Sequence, residues 1–303
     1  MKRIFTSALF LCLLTSFALT GCRKPDGHAI AIGSKHFTEQ EILGEIMAIL
    51  IEEHMDVTVV RKFNLGGTMI CFNALKSGDI DLYAEYTGTG LVNILKMKTA
   101  NDPDQAYRTV RDAFRKRFDL VWLDPFGFDN TYTLTMRRTH AESLGIEKIS
   151  DLARYKETLR PGFDAEFLER PDGYKGLIKH YGFEFAEDPR QMDPGLMYKA
   201  LAEGSVDIID GFATDGRIPA YDLVILDDDR HFFPPYHAAP LVRKKILSRH
   251  PKLTGILKKL GGLIDDRTMQ SLNYQVDKLK KSPAEVAGAF LRERGLVKGN
   301  GCI

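Results

Sequence analysis

The front of the chain alternates strand-like and helix-like runs, and that alternation limits the architectures open to it more than any other feature. Residues 29–34 form a short apolar run ending in Gly33 and Ser34, as a buried strand does. From Thr38 onward Ile42, Leu43, Ile46, Met47, Leu50 and Ile51 recur at helical spacing. This predicts a helix to about His54, with Thr38 able to cap it and Glu39 in its first turn. A strand over 57–60, the turn Gly66-Gly67, a helix over 69–77 and a strand over 80–83 follow. Parallel neighbours need long crossovers, and helices of these lengths supply them, so the pattern predicts an α/β fold with a parallel sheet.

Past a charged amphipathic helix over 102–118 and a strand over 120–123 the texture changes. Asp124, Pro125 and Gly127 make a turn-rich connector into an alternating strand over 131–136. A second connector, Phe232-Phe233-Pro234-Pro235-Tyr236, fixes the backbone with paired prolines before a strand near Leu241 and Val242. Two such crossings predict one lobe inserted into another, with residues 29–127 and 237–303 in lobe I, 128–236 in lobe II, and a cleft between them. Lobe II is expected to hold helical patterns near 150–155, 177–181 and 196–203, a loop at 169–174 and a buried strand over 206–209. The return brings three helices over 252–264, 267–279 and 284–296, the last capped by Ser282.

Met1-Lys2-Arg3, the apolar run to Leu19 and the small residues before Cys22 read as an export signal, too short to be a convincing membrane span. Leu19-Thr20-Gly21-Cys22 resembles a bacterial lipobox. That implies a lipoprotein signal peptide over 1–21, a lipid anchor on Cys22 and a tether over 22–28, with the body held at a membrane surface facing the periplasm or exterior. Loss of Lys2 and Arg3 would turn the net charge from +1 to −1. A nearly neutral chain without basic clusters does not fit nucleic acid as its main partner. Cys12 lies in the signal, leaving Cys71 and Cys302 and no disulfide framework; Cys71 reads as a small buried hydrophobe.

Enzyme signatures are absent: there is no Gly-x-Ser-x-Gly elbow, phosphate loop, His-Glu-x-x-His or full dinucleotide fingerprint, and no cofactor is implied. His231 and His237 do not have zinc-site surroundings, and Asp227-Asp228-Asp229 reads as a solvated acidic turn. What stands out is a set of aromatics at strand ends, Tyr86, Tyr132, Phe212 and Tyr236, which could converge on one cleft. Rings suit a quaternary ammonium, a cation with no hydrogen to donate. Each favourable cation–π contact contributes roughly 0.5–2 kcal/mol when water is excluded.

Six segments, Gly33 to Gln40, Asp81 to Thr89, Asn130 to Tyr132, Arg170 to Tyr174, Asp210 to Arg217 and Phe232 to Tyr236, resemble in the same order the substrate-binding proteins of osmoprotectant ABC transporters. The resemblance implies a two-lobe periplasmic-binding-protein fold of type II, with two crossing strands and the ligand cleft between the lobes. It implies no enzymatic activity, a ligand such as glycine betaine, choline or carnitine, and ABC permease subunits as partners. Carried over, the cage falls on Tyr86, Tyr132, Phe212 and Tyr236. Phe212 stands where tyrosine is usual, keeping the ring and losing the hydroxyl. Lys35 and Arg170 match positions that contact a ligand carboxylate, Gln40 and Thr89 match polar contacts at the rim, and Asn130 stands where some relatives have aspartate. The alternative on the same fold is an amino acid or polyamine ligand, for which Asp129 or Asp215 would face the ammonium.

Overall fold

The computed structural model describes residues 29–98, 100 and 102–298, so the export signal, Cys22, the tether and Cys302 lie outside the described residues. Ten strands run in chain order: β1 (Ile30–Gly33), β2 (Val59–Lys62), β3 (Leu82–Tyr86), β4 (Leu120–Trp122), β5 (Tyr132–Arg137), β6 (Pro161–Asp164), β7 (Arg190–Met192), β8 (Ile208–Phe212), β9 (Leu223–Ile225) and β10 (Ala238–Arg243). They form two five-stranded sheets, ordered β2-β1-β3-β10-β4 and β7-β6-β8-β5-β9.

Each sheet is mixed rather than purely parallel. β1 lies parallel to β2 and β3, whereas β10 runs antiparallel to β3 and β4. In the second sheet β6 is parallel to β7 and β8, and β5 runs antiparallel to β8 and β9. The reversed strand is in both cases the one the chain enters directly after passing between sheets, because it comes in from the opposite side. The two passes are bonded to each other. Asp129 and His237 form an antiparallel bridge, the Asn130 amide donates to the Tyr236 carbonyl at 3.2 Å, and that of Phe126 donates to Ala238 at 2.9 Å.

Helices α1 (Thr38–His54), α2 (Thr68–Ser77) and α3 (Pro103–Phe118) connect the early strands. The bounds of α1 match its apolar periodicity, and that face packs against the late helices Lys252–Lys258, Asp266–Asp277 and Pro283–Glu293. Thr38 does not cap α1: Phe37 occupies that position, and the Thr38 hydroxyl donates to Asp277 Oδ1 at 2.6 Å. Asp102 caps α3, and Ser282 with Glu285 forms a reciprocal capping box. Several bounds shift. β3 begins two residues later than the apolar run and ends on Tyr86, β2 and β8 are likewise displaced, and residues Ile149–Arg154 form a 3-10 rather than an α-helix. The short helix Ala165–Glu169 follows β6 without a periodic signal of its own. Among the described residues no helix is long and apolar enough to cross a membrane.

One face of the first sheet is closed by Cys71, Phe72, Leu75, Phe114 and Trp122. Phe114 is fully buried and meets Phe72, Phe118 and Trp122 edge-on at 5.9, 5.3 and 5.4 Å. Edge-on pairs and complete burial make such a ring costly to truncate. Phe114→Ala is expected to lower unfolding free energy in urea by about 3–5 kcal/mol. Ligand affinity, measured on the folded fraction, should stay at the wild-type value, because Phe114 borders no part of the cavity described next.

Candidate functional site

Both sheets deliver rings to one cavity. Tyr86 ends β3 and Phe212 ends β8, while Tyr132 opens β5; the β5–β8 register sets Tyr132 directly across from Phe212, their rings 5.2 Å apart. Tyr236 lies two residues before β10 and meets Tyr132 edge-on at 5.5 Å. All four border the cavity, and so does a fifth ring, Phe37. Phe37 stacks between Phe212 at 5.3 Å and Tyr86 at 6.3 Å. It carries no periodic signal, since it ends the loop between β1 and α1 and occupies the cap position of that helix. About 40 Å³ is open to the centres of water-sized spheres, where one water needs roughly 10–15 Å³. The space suits a small solute.

The expected polar residues Lys35, Thr89, Asn130 and Arg170 also border the cavity, but Gln40 does not. Gln40 braces the wall from below, accepting from the Lys35 amide at 3.3 Å and donating to the Ala84 carbonyl at 2.9 Å. Lys35 Nζ lies 2.6 Å from Glu85 Oε1 and 5.1 Å from the centre of the Tyr86 ring. Arg170 forks onto Asp172 at 2.9 and 2.6 Å, donates to Thr89 Oγ1 at 3.3 Å, and sits 5.3 Å from the Tyr132 ring centre. Tyr236 donates its hydroxyl to the same Asp172 at 2.6 Å. Burial pushes the phenols of Tyr86, Tyr132 and Tyr236 well up, so they stay neutral. The rings are thus already in contact with cationic charge.

Neither carboxylate proposed for an α-ammonium faces this cavity. Asp129 accepts from the Tyr236 amide at 2.7 Å between the two passes, and Asp215 is forked by Arg217 at 2.9 and 2.6 Å. The acidic turn is also more engaged than its composition implies: Asp228 accepts from Tyr181, and Asp229 accepts from Ser150 at 2.7 Å. Among the described residues no cluster of potential metal ligands is present.

Two acids missed by motif reading organise the site. Glu166 accepts from the amide and hydroxyl of Thr68 at the start of α2, joining the second sheet to the first across the cavity. Burial would raise its pKa, but Lys35, Arg170 and Thr68 together hold it below the usual carboxylate range. Gly67 permits this contact, since a Cβ there would run into Glu166 Oε1. Glu39, in the first turn of α1, is almost wholly buried and accepts from Tyr86 at 2.7 Å, Asn130 at 2.8 Å, Asn273 at 3.1 Å and the Thr214 hydroxyl. Burial raises it from 4.5 to about 7, opposed by these four donors.

Residues 28–293 match the family model OpuAC, described as the substrate binding domain of ABC-type glycine betaine transport system. The chain is 40% identical, over 97% of its length, to the ergothioneine transport permease/ergothioneine binding protein EgtU of Helicobacter pylori, and spans 53% of that protein. To the carnitine transport binding protein OpuCC of Listeria monocytogenes it is 38% identical, covering 98% of this chain and 96% of that one. A crystal structure titled glycine betaine/carnitine/choline ABC transporter superposes with a TM-score of 0.74 at 38% identity, covering 88% of this chain and 99% of that one.

The raised Glu39 carboxyl has a defined sign. Its contribution to stability is complete below about pH 4.5 and is lost as pH rises through about 7. The melting temperature of the ligand-free protein should therefore fall between pH 5 and pH 8 by more than that of Glu39→Gln. Asp210 and Asp277, which burial also raises, leave a residual slope in the variant. Gly67→Ala should weaken ligand binding by calorimetry about tenfold by forcing Glu166 off α2, with little change in melting temperature.

Proposed function

Because the chain belongs to the OpuAC family of substrate-binding domains from ABC-type glycine betaine transport systems, we propose that its cavity captures a quaternary-ammonium solute in a cage of Tyr86, Tyr132, Phe212 and Tyr236, with Phe37 as a fifth wall. The supporting observation is the meeting of these rings, from both sheets, around one small space. A methylated ammonium has no N–H, so ring faces are the groups able to offset its dehydration. Lys35 and Arg170 near the Tyr86 and Tyr132 rings are the protein's own example of that attraction. The amino acid or polyamine reading lacks support here, as Asp129 and Asp215 are both engaged elsewhere.

The division of labour follows. Lobe I (29–127 and 237–303) supplies Lys35, Tyr86 and Thr89; lobe II (128–236) supplies Asn130, Tyr132, Arg170 and Phe212, with Tyr236 at its last position. A ligand that touches both lobes favours the closed form, with hinge motion at the two bonded passes. Asn130 carries no charge, and Glu39, one layer behind it, provides a carboxylate in its place. The closed protein hands its solute to membrane permease subunits powered by a separate ATPase. A lipid on Cys22 ties it to a membrane with the body facing the periplasm or exterior, since acyl chains anchor a domain without a spanning helix.

Removing one ring face should cost roughly 0.5–2 kcal/mol, or about 2- to 30-fold in affinity. Tyr132→Ala and Tyr86→Ala are expected to show losses in this range by calorimetry with choline and with glycine betaine, while Tyr132→Phe keeps most of the affinity. Wild-type affinity in both alanine variants would reject the cage.

A further inference from the structure

The charges around the cavity narrow the solute beyond its methylated nitrogen, an inference that rests on the cage reading. Lys35 and Glu85 form a pair with side chains only 5% and 0% exposed, and the second Glu85 oxygen accepts from Tyr83 at 2.7 Å. Arg170 and Asp172 are 3% and 0% exposed, and the guanidinium spends its fork on that one carboxylate. Its remaining Nη1 lies 3.7 Å from Glu166. The lysine and the arginine of the cavity are both matched, so an incoming carboxylate would have to displace Asp172, Glu85 or Glu166 to reach a cation.

A further acid borders the space. Asp164 ends β6 and caps the short helix after it, its Oδ1 accepting from the Glu166 amide at 2.6 Å, so only Oδ2 is left for the cavity; its own amide donates to Asp210 Oδ1 at 2.8 Å. Asp210 is fully buried, and its Oδ2 has no hydrogen-bond partner. Two carboxyls this close in a dry site hold one proton between them. Burial raises both carboxyls, Asp210 the more strongly, and the Glu166 amide on Asp164 opposes the rise there, so Asp210 is the neutral member and Asp164 Oδ2 the acceptor. Around Lys35 and Arg170 stand Glu85, Asp172, Glu166 and the Asp164–Asp210 pair, so negative charge is in excess. An added cation relieves that excess, and an added carboxylate worsens it. His36 also borders the cavity, and its Nδ1 is buried without a partner. A hydroxyl, both donor and acceptor, can satisfy either group.

We propose that this cavity selects a quaternary ammonium ion that bears a hydroxyl and no carboxylate, with Asp164 as the specificity-determining acceptor. Calorimetry at pH 7 with choline, tetramethylammonium and glycine betaine tests it on the wild-type chain and on Asp164→Asn. In the wild type, choline should bind about tenfold tighter than tetramethylammonium and at least about tenfold tighter than glycine betaine. In Asp164→Asn the choline-to-tetramethylammonium ratio should collapse toward one, a change that general damage to the fold would not produce because both ligands share the cage. Glycine betaine binding as tightly as choline, or a ratio unchanged by the substitution, overturns the proposal and leaves the cage standing. If none of the three ligands binds, the cage reading fails together with it.

Discussion

A carboxylate removed from water must be matched by donors or give up its charge, and Glu39 is where this structure meets that demand. Its four donors come from β3, from the pass into the second sheet, from the loop after β8 and from the late helix Asp266–Asp277. No two of them are near in sequence, so the carboxylate is satisfied only when all four segments are in place. It sits at the start of α1, where the helix dipole favours negative charge. The ring of Tyr86 and the amide of Asn130 are thereby fixed at the cavity wall by an acid that does not itself border the space. The cavity thus has a polar foundation: ring faces line the space, and hydroxyl and amide groups are tied down behind them.

Much of the scaffold was legible because it follows from periodicity. The face of α1, the helix over 102–118 and the cap at Ser282 could be read from spacing and residue type, and the lengths of those elements came out close. β6 could not. Pro161 and Gly162 argue against a strand, yet β6 is buried along its length between β7 and β8, where its neighbours supply the pairing that propensity denies. β2 slid by two residues because its paired segment includes Arg61 and Lys62, which lie at an exposed edge. The parallel pairing of β1 with β2 and β3 followed from their helical crossovers, but the antiparallel entry of β10 did not: local pattern shows that a segment is extended and says nothing of the direction from which it enters.

The site divides along the same line. Rings at strand ends could be singled out, since a large aromatic at the lip of a sheet is chemically conspicuous. Phe37, Glu39, Asp164 and Glu166 could not, because each sits at or beside a helix start, where phenylalanine looks incidental and an acid looks like ordinary capping. Asp164 does cap its helix, and only the three-dimensional arrangement shows that it also borders the cavity, that Glu39 braces the wall and that Glu166 reaches across to Thr68. Lys35 and Arg170 illustrate the opposite error. Their positions at the cavity were foreseeable, but their pairing with Glu85 and Asp172 was not, and the pairing changes what they offer a ligand.

The placement of β10 reaches beyond binding. It lies between β3 and β4, although about 115 residues separate it from the end of β4, so the first sheet lacks an interior member until residues 238–243 arrive. The second sheet is drawn from one uninterrupted stretch and has no such delay. Long-range pairings of this kind are slow and leave unpaired edges exposed meanwhile. Until β10 arrives, β3 and β4 each keep an unpaired edge inside the first sheet, so the sheet that opens the chain closes only with a strand from far along it.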